Sequence, residues 1–189
     1  MLVWLARNEL HRLPVPGTAR FLTFSTYRRL RLFDNDRIKD LFVDYLNTAT
    51  VAYNARMIAW VVMPEHAHLI LYLNQPDAVA AFLMTLKRPL ARKVLDRWRT
   101  LNAPVLPRLT SATGETHFWQ PGGGYDRNVV GDELIEKIRY VHKNPITRGL
   151  SPDSVSWRWS SAAAYRQLPH ALGPPIAFDL IPNHNSDLT

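Results

Sequence analysis

The first third of the chain contains two different hydrophobic spacings. Residues 20–29 (RFLTFSTYRR) alternate apolar and polar side chains and are rich in Phe, Thr and Tyr, which predicts a β-strand. The segment DNDRIKDLFVDYLNTAT starts with cap-type residues at 34–36, and its apolar residues then recur at helical spacing from Ile38 to Leu46. This pattern predicts a helix directly after the first strand.

The middle of the chain predicts a hairpin and then a long helix. Residues 56–63 (RMIAWVVM) and 66–73 (HAHLILYL) are apolar runs of strand length, and the short connection between them favours an antiparallel pair. A helix is predicted over residues 78–99, and Pro89 is expected to kink or restart it.

The last third predicts a loop, a weak strand and a third helix. Residues 101–115 have loop composition, THFWQ (116–120) is predicted as a short strand, and PGGGY as a flexible turn. The segment GDELIEKIRYVHKNP predicts a helix that ends near Asn144, because Pro145 disfavours helical geometry in the residue before it.

The order strand, helix, strand, strand, helix, weak strand, helix predicts an α+β fold. It is typical of a ferredoxin-like (RRM-like) antiparallel sheet with its helices on one face. We expect an N-terminal arm at residues 1–18, a single domain at 19–150, and a C-terminal extension at 151–189 that packs on or near that domain.

Composition narrows the class of protein. With 47% hydrophobic residues the chain can bury a core, and the absence of cysteine removes disulfides and thiolate metal sites. The 23 Lys and Arg against 16 Asp and Glu give a net charge of +7, which favours nucleic acid as partner, the alternative being a basic surface without a specific partner. Apolar runs shorter than a bilayer span and an N-terminus unlike a signal peptide predict a protein without membrane contact, and the absence of cysteine fits a cytoplasmic location.

Two histidines lie inside the apolar segment WVVMPEHAHLILYL. On a strand, residues two apart point to the same face, so His66 and His68 would project together. Two neutral imidazoles side by side are suitable ligands for a divalent metal ion. A pair of satisfied histidines at a strand end is the alternative interpretation, and two histidines alone do not complete a metal site.

The third predicted helix carries candidates to complete such a site. Tyr140 and Asn144 are four residues apart and therefore share a helix face. The amide oxygen could add a third metal ligand, and the tyrosine hydroxyl could attack a phosphorus atom. The competing interpretation makes Tyr140 a core aromatic residue and Asn144 a helix-terminal residue.

Five segments in order resemble one family, the REP-associated tyrosine transposases, which are single-tyrosine transposases with a histidine–hydrophobic–histidine (HUH) motif. The similar segments are FLTFSTYRRLRLF, PEHAHLI, FWQPGGGYDRNVV, YVHKNPITRGL and WRWSSAAAY, which together span residues 20–165. GGGY departs from the pattern, since bulkier residues usually stand at that place in the family.

The resemblance implies a metal-dependent nuclease and strand transferase that acts on single-stranded DNA near hairpins, such as REP-like or insertion-sequence ends. It implies an HUH motif on a central strand, with His66, His68 and Asn144 at a Mg²⁺ or Mn²⁺ ion. It also implies that Tyr140, on a C-terminal helix, forms a 5′-phosphotyrosine link. Tyr125 is the competing tyrosine, and Tyr140 is preferred because it precedes Asn144 at the family spacing.

Cationic and aromatic residues outside these motifs are candidates for DNA contact. Basic residues beside the first strand and along the second helix could neutralise phosphates, and a tryptophan could stack on an unpaired base. These candidates are Arg28, Arg29, Lys87, Arg88, Arg92 and Trp119. Each also has an ordinary interpretation, as a solvated surface cation or as a core aromatic residue.

Two other functions remain open from the sequence. One is a non-catalytic protein on the same fold that binds hairpin DNA or RNA, which would not need the two histidines, Tyr140 and Asn144 together. The other is a replication initiator or relaxase with the same chemistry, although such proteins are usually larger. The resemblance, together with the long C-terminal extension, favours a monomer over a dimer and a nucleoid-associated location.

Overall fold

A single antiparallel sheet organises the protein, whose computed structural model describes residues 17–122, 124–182 and 188–189. Its four strands lie in the order β2-β3-β1-β4. They are β1 (Ala19–Ser25), β2 (Arg56–Val62), β3 (His66–Tyr72) and β4 (Tyr125–Val129). The helices are α1 (Asp36–Ala52), α2 (Val79–Thr100), α3 (Leu106–Leu109), α4 (Gly131–Thr147) and α5 (Ala162–Tyr165).

The chain order β1-α1-β2-β3-α2-β4 produces the strand arrangement of a ferredoxin-like sheet. All three strand pairs are antiparallel, and β2 and β3 form the predicted hairpin. The predicted α+β class is therefore confirmed. Residues 1–16 of the predicted N-terminal arm lie outside the described residues, and the domain boundaries stay a prediction.

Helices cover both faces of the sheet, which corrects the prediction that they share one face. Leu69 and Leu71 of β3 join a core with α1 and α2, whereas Ile70 between them packs with Ile138 of α4 on the opposite face. The physical reason is that β2 and β3 are apolar at almost every position. A strand that is apolar on both faces needs cover on both.

The fourth strand is not the predicted one. THFWQ contributes only isolated bridges, one of which joins Trp119 to Thr26, and the sheet is completed by the polar segment YDRNV. Buried Arg20 of β1 holds this strand, donating from Nε to Asp126 at 2.9 Å. Gly124 allows the approach, because its φ is 94° and a Cβ there would lie 2.1 Å from the carbonyl oxygen of Thr23.

Proline ends neither long helix where the sequence predicted an interruption. Helix α2 runs through Pro89 without restarting, and α4 continues past Pro145 to Thr147. The turn after Pro145 is closed by hydrogen bonds from Arg148 N to the Asn144 carbonyl (3.1 Å) and from Leu150 N to the Pro145 carbonyl (2.9 Å). These bonds offset the amide hydrogen that the proline lacks. The predicted end at Asn144 is therefore wrong by three residues.

The C-terminal extension lies along the outer edge of β2. The Trp159 carbonyl accepts from Val62 N, and Ser161 N donates to the Trp60 carbonyl, both at 2.9 Å. Backbone groups that an edge strand would leave unpaired are satisfied in this way. Within the described ranges, no helix has both the length and the apolar content needed to cross a bilayer.

Candidate active site

Strand β3 presents the two histidines to the face that α4 covers. His66 and His68 are both buried, and their Nε2 atoms face each other at 3.1 Å. Because β3 is an inner strand of the sheet, β2 and β1 hold its backbone on either side. The spacing of two along a strand therefore brings the imidazoles together as the sequence predicted.

The outer nitrogens of both rings are held by other side chains. His66 Nδ1 lies 3.1 Å from Glu65 Oε1, and His68 Nδ1 lies 2.7 Å from Thr23 Oγ1. A carboxylate only accepts, so His66 carries its proton on Nδ1 and its Nε2 holds a lone pair. His68 then donates from Nε2 to His66, while Thr23 donates to His68 Nδ1.

This arrangement suits a pair of metal ligands. Histidine ligands characteristically hold their second nitrogen by a carboxylate or another oxygen, which fixes the tautomer and the orientation of the ring. His66 already has the required tautomer. His68 needs its proton moved to Nδ1, which Thr23 permits because a hydroxyl can accept as well as donate.

Electrostatics keep both imidazoles neutral. Burial, together with the nearby His66 and Arg29, lowers the pKa of His68 to about 3. Burial likewise lowers the pKa of His66 below its ordinary value, although the charge of Glu65 opposes this shift. Burial alone would raise the pKa of Glu65, but the hydrogen bond from Arg148 and the neighbouring His66 bring it below its ordinary value. Neutral imidazole is the form that binds metal ions.

Tyr140 stands over this pair on helix α4. Its ring centroid lies 5.2 Å from that of His68 and 6.2 Å from that of Phe21, yet 49% of the residue is exposed. The ammonium group of Lys137, one helical turn earlier, lies 5.9 Å from the Tyr140 ring centroid. The core interpretation of Tyr140 does not agree with this exposure. A half-exposed hydroxyl-bearing ring beside two paired imidazoles is accessible to a ligand.

Asn144 lies one turn beyond Tyr140 on α4 and is buried. The hydrogen bonds and ring contacts found in the described part of the chain join Tyr140, but not Asn144, to the histidines. In the same part, no group of three His, Cys, Asp or Glu side chains is arranged to hold a metal ion. Asparagine is not one of these four residue types, so Asn144 stays a predicted third ligand.

The competing tyrosine lies on the same face of the sheet. Tyr125 opens β4 and pairs with Thr23, which in turn pairs with His68. Its ring meets Phe21 edge-on at 6.0 Å between centroids, and 44% of the residue is exposed. Two tyrosines thus border Phe21, but the ring contact with His68 is made by Tyr140.

Glu65 connects the histidine pair to two arginines. Its Oε1 accepts from Arg29 Nη2 at 3.0 Å and from Arg148 Nη1 at 2.8 Å, as well as from His66. No sequence pattern connects Arg148 with Glu65, which lies 83 residues earlier. One signal in the sequence was available: Arg148 stands four residues after Asn144, which would place both residues on the same side of a helix.

The other predicted DNA contacts fall into two groups. Arg28 and Arg29 are exposed after β1, and Arg29 is connected to the histidine pair through Glu65. Arg88 and Arg92 are exposed on α2, on the other side of the sheet. Lys87 is half-buried over the Phe24 and Trp119 rings, and burial lowers its pKa to about 8.

Trp119 is a core residue, so its predicted stacking on bases is corrected. It is 9% exposed, packs against Phe24, Phe33 and Phe118, and donates from Nε1 to the Lys87 carbonyl at 2.9 Å. Its rings are occupied by other aromatic side chains, which is the usual environment of a large aromatic residue.

A ferredoxin-like sheet with a His-x-His pair on an inner strand and an exposed tyrosine on the covering helix defines a class, the tyrosine transposase-like proteins. The family model for IS200-like transposases matches residues 18–144, which is 127 of the 189 residues. The chain belongs to this IS200-like transposase family.

Two further similarities agree with the family. A Haemophilus influenzae protein assigned as a REP-associated tyrosine transposase is 24% identical over 136 residues, which cover 67% of this chain and 73% of that protein. A solved structure of a REP-associated tyrosine transposase bound to a REP hairpin covers 94% of each chain with a TM-score of 0.59 and 16% identity. The first similarity confirms the resemblance seen in the motifs, and the second supports the fold.

Proposed function

We propose that this chain is a metal-dependent endonuclease and strand transferase that cuts single-stranded DNA near hairpins. The observation that carries the proposal is the ring of Tyr140, half-exposed and 5.2 Å from His68, whose Nε2 faces that of His66. Family membership supports the same reaction class. A protein that only bound nucleic acid would not need this combination.

Tyr140 acts as the nucleophile. Its hydroxyl oxygen attacks the phosphorus of one phosphodiester, a bond forms between that oxygen and phosphorus, and the bond from phosphorus to the 3′ oxygen breaks. The phenol proton ends formally on the released 3′-hydroxyl, and the 5′ side of the strand stays joined to Tyr140 as a phosphotyrosine. Because one phosphodiester bond replaces another, a 3′-hydroxyl can reverse the step and join strands without ATP.

The donor set fits a divalent ion held by His66 and His68, with Asn144 as a third ligand. Mg²⁺ or Mn²⁺ bound there would supply Lewis-acid stabilisation of charge on a phosphate oxygen. Glu65 and Thr23 orient the two imidazoles through their Nδ1 atoms. Lys137 places a positive charge 5.9 Å from the Tyr140 ring centroid, where it would favour the negative charge that the phenol gains as its hydroxyl loses the proton.

The partner we propose is hairpin DNA with a single-stranded flank. The net charge of +7 and the exposed cations Arg28 and Arg29, of which Arg29 is paired with Glu65 beside His66, suit a polyanion. The related solved structure is of a protein bound to a REP hairpin. We propose that the chain works as a monomer at the nucleoid, since the C-terminal extension already covers the outer edge of β2.

A covalent-adduct assay tests the proposal. The protein is incubated with hairpin oligonucleotides from its own genomic flanks and Mn²⁺ or Mg²⁺, and the products are separated on denaturing gels. We expect a protein–DNA band that is lost with EDTA and lost in Tyr140→Phe, while that variant still binds the DNA.

Tyr125→Phe is the matched control, because Tyr125 lies on the same face and also borders Phe21. It should form the adduct normally. Adduct formation by Tyr140→Phe, or its loss in Tyr125→Phe alone, would contradict the assignment of the nucleophile. Binding without an adduct under all conditions would favour a hairpin-binding protein that lacks the chemistry.

A further inference from the structure

Two arginines from distant parts of the chain share one buried carboxylate oxygen. Arg29 follows β1 and Arg148 follows α4, and both donate to Glu65 Oε1, at 3.0 and 2.8 Å. The same oxygen holds His66 Nδ1 at 3.1 Å. The two guanidinium groups are therefore fixed against each other and against the histidine pair.

The exposure of the three side chains is unequal. The Glu65 side chain is 5% exposed, whereas those of Arg29 and Arg148 are 61% and 41% exposed. The negative charge lies beneath the surface and the two positive charges lie at it. Among the described residues, Glu65 is the one carboxylate that pairs with either arginine. One positive charge thus remains uncompensated beside His66.

The hydrogen-bonding capacity of the arginines is largely unused. A guanidinium has five N–H donors in a rigid fork, and each arginine gives one hydrogen bond to Glu65. The remaining donors at the surface match the geometry of a phosphate, which arginine binds through two parallel hydrogen bonds.

The backbone before Arg29 is held in an unfavourable conformation that presents this side chain. Arg28 and Arg29 have φ angles of 51° and 52°, in the left-handed region that residues with a Cβ rarely adopt. The turn is kept in place by hydrogen bonds from Arg28 N to Gln120 Oε1 (3.0 Å) and from Thr26 N to the Glu65 carbonyl (3.0 Å). Such strain occurs preferentially at ligand-binding positions.

We propose that Arg29 and Arg148, held on Glu65, form a single binding subsite for one backbone phosphate of single-stranded DNA. The inference rests on the proposed function, since it makes this phosphate a neighbour of the one that is cut. The subsite positions the DNA strand beside His66 and His68. Glu65, which is buried, holds the two arginines of the subsite in place. Arg148 thereby becomes a substrate-binding residue, and the pairing of the two arginines fixes the path of the strand.

The salt dependence of DNA binding tests the subsite. The full chain is titrated into fluorescent oligo-dT of 12 nucleotides in EDTA over a series of salt concentrations. For single strands, the slope of log K against log salt changes by about 0.7 for each phosphate that the protein neutralises. We expect the slope to weaken by about 0.7 in the double variant Arg29→Gln, Arg148→Gln, because both arginines hold the same phosphate.

Arg56→Gln is the matched control. Arg56 is also a partly exposed arginine paired with a carboxylate, that of Asp179, but it lies at the opposite end of the sheet. Its slope should equal that of the wild type. An unchanged slope in the double variant overturns the proposal. A weakening of about 1.4 also overturns it, because it would mean that each arginine binds a separate phosphate.

A second variant protects the test against a folding defect. Arg148→Lys keeps a positive charge against Glu65 but replaces the fork by a single ammonium group. We expect a wild-type melting temperature and slope with oligo-dT binding weakened by about tenfold or more, the effect of one lost charge-assisted hydrogen bond. Wild-type affinity in this variant contradicts the subsite.

The two proposals fail separately. Oligo-dT binding in EDTA requires neither metal nor cleavage, so a slope change without any adduct would leave the subsite standing and reject the nuclease. Adduct formation with unchanged slopes would support the nuclease and reject the subsite.

Discussion

Replacing Glu65 by alanine should weaken Mn²⁺ binding through His66. The Nδ1–H of His66 now donates to Glu65 Oε1 at 3.1 Å, and His66 is 5% exposed, so the freed N–H would have little water to replace its partner. Leaving a buried donor unsatisfied costs about 1–3 kcal/mol. If the ring instead turns or changes tautomer, the Nε2 lone pair is no longer available to a metal ion at this site. Both routes predict about 10- to 100-fold weaker metal affinity, as is found for outer partners of histidine ligands.

Glu65→Gln separates the hydrogen bond from the charge. The amide oxygen still accepts from His66 Nδ1, so the tautomer is kept, whereas the ion pairs with Arg29 and Arg148 lose their anion. Those arginines are more than one-third exposed, so solvent screens much of this loss. We expect the affinity for Mn²⁺ in this variant to fall by less than about tenfold.

Titration calorimetry with Mn²⁺ measures these affinities, and thermal unfolding checks that each variant folds. Glu133→Ala is the control, because Glu133 is also paired with an arginine, Arg127, at 2.7 Å but has no hydrogen bond to either histidine in the described structure. Wild-type Mn²⁺ affinity in Glu65→Ala would refute the orienting role of Glu65. A wild-type protein without measurable Mn²⁺ affinity would refute the metal site itself.

Three further predictions concern side chains around the site and its supporting core. Burial lowers the folded-state pKa of Lys87 to about 8, so the unfolded chain binds the proton more tightly. The free energy of unfolding should therefore rise from pH 8 towards pH 10.5. Thermal melts should show this rise in the wild type but not in Lys87→Met. Trp119→Ala should lower the free energy of unfolding by about 3–5 kcal/mol in denaturant titrations, as for other buried tryptophans, and a loss below 1 kcal/mol would contradict its place in the core. Lys137→Met should slow adduct formation by Tyr140 more than it weakens DNA binding, and equal effects in a single-turnover assay would assign Lys137 to binding alone.

The sequence predicted the histidine pair because the signal is local. A strand repeats every two residues, so His66 and His68 had to share a face wherever the sheet lay. Helical spacing can also indicate that Tyr140 is exposed, because Ile138 and Val141 mark the buried side of α4. Local spacing thus predicted which residues share a face.

The missed features depend on distant partners. The polar segment YDRNV is a strand because β1 accepts it, with Arg20 bonded to Asp126, and composition alone favoured THFWQ instead. The end of α4 was placed too early because the rule for residues before proline does not include the hydrogen bonds that close the turn after Pro145. Arg148 was missed for the same reason, since its role depends on a carboxylate 83 residues away.

These long-range contacts also explain how the site is assembled. The histidines belong to a hairpin, while Tyr140 lies on a helix whose position no local hydrogen bond determines. Apolar side chains of α4, among them Ile138 and Val141, attach the helix to the sheet. Two ion pairs add to them: one joins Glu133 of α4 to Arg127 of β4, and the other joins Arg148, directly after α4, to Glu65. The apolar contacts hold the helix against the sheet without direction, because burial of apolar surface is non-directional. The ion pairs do have a direction, and that of Arg148 joins the end of α4 to the carboxylate that contacts His66 Nδ1. Glu65 therefore contacts both the end of the helix that carries Tyr140 and the Nδ1 atom of His66, so we expect a change at Glu65 to affect both halves of the site.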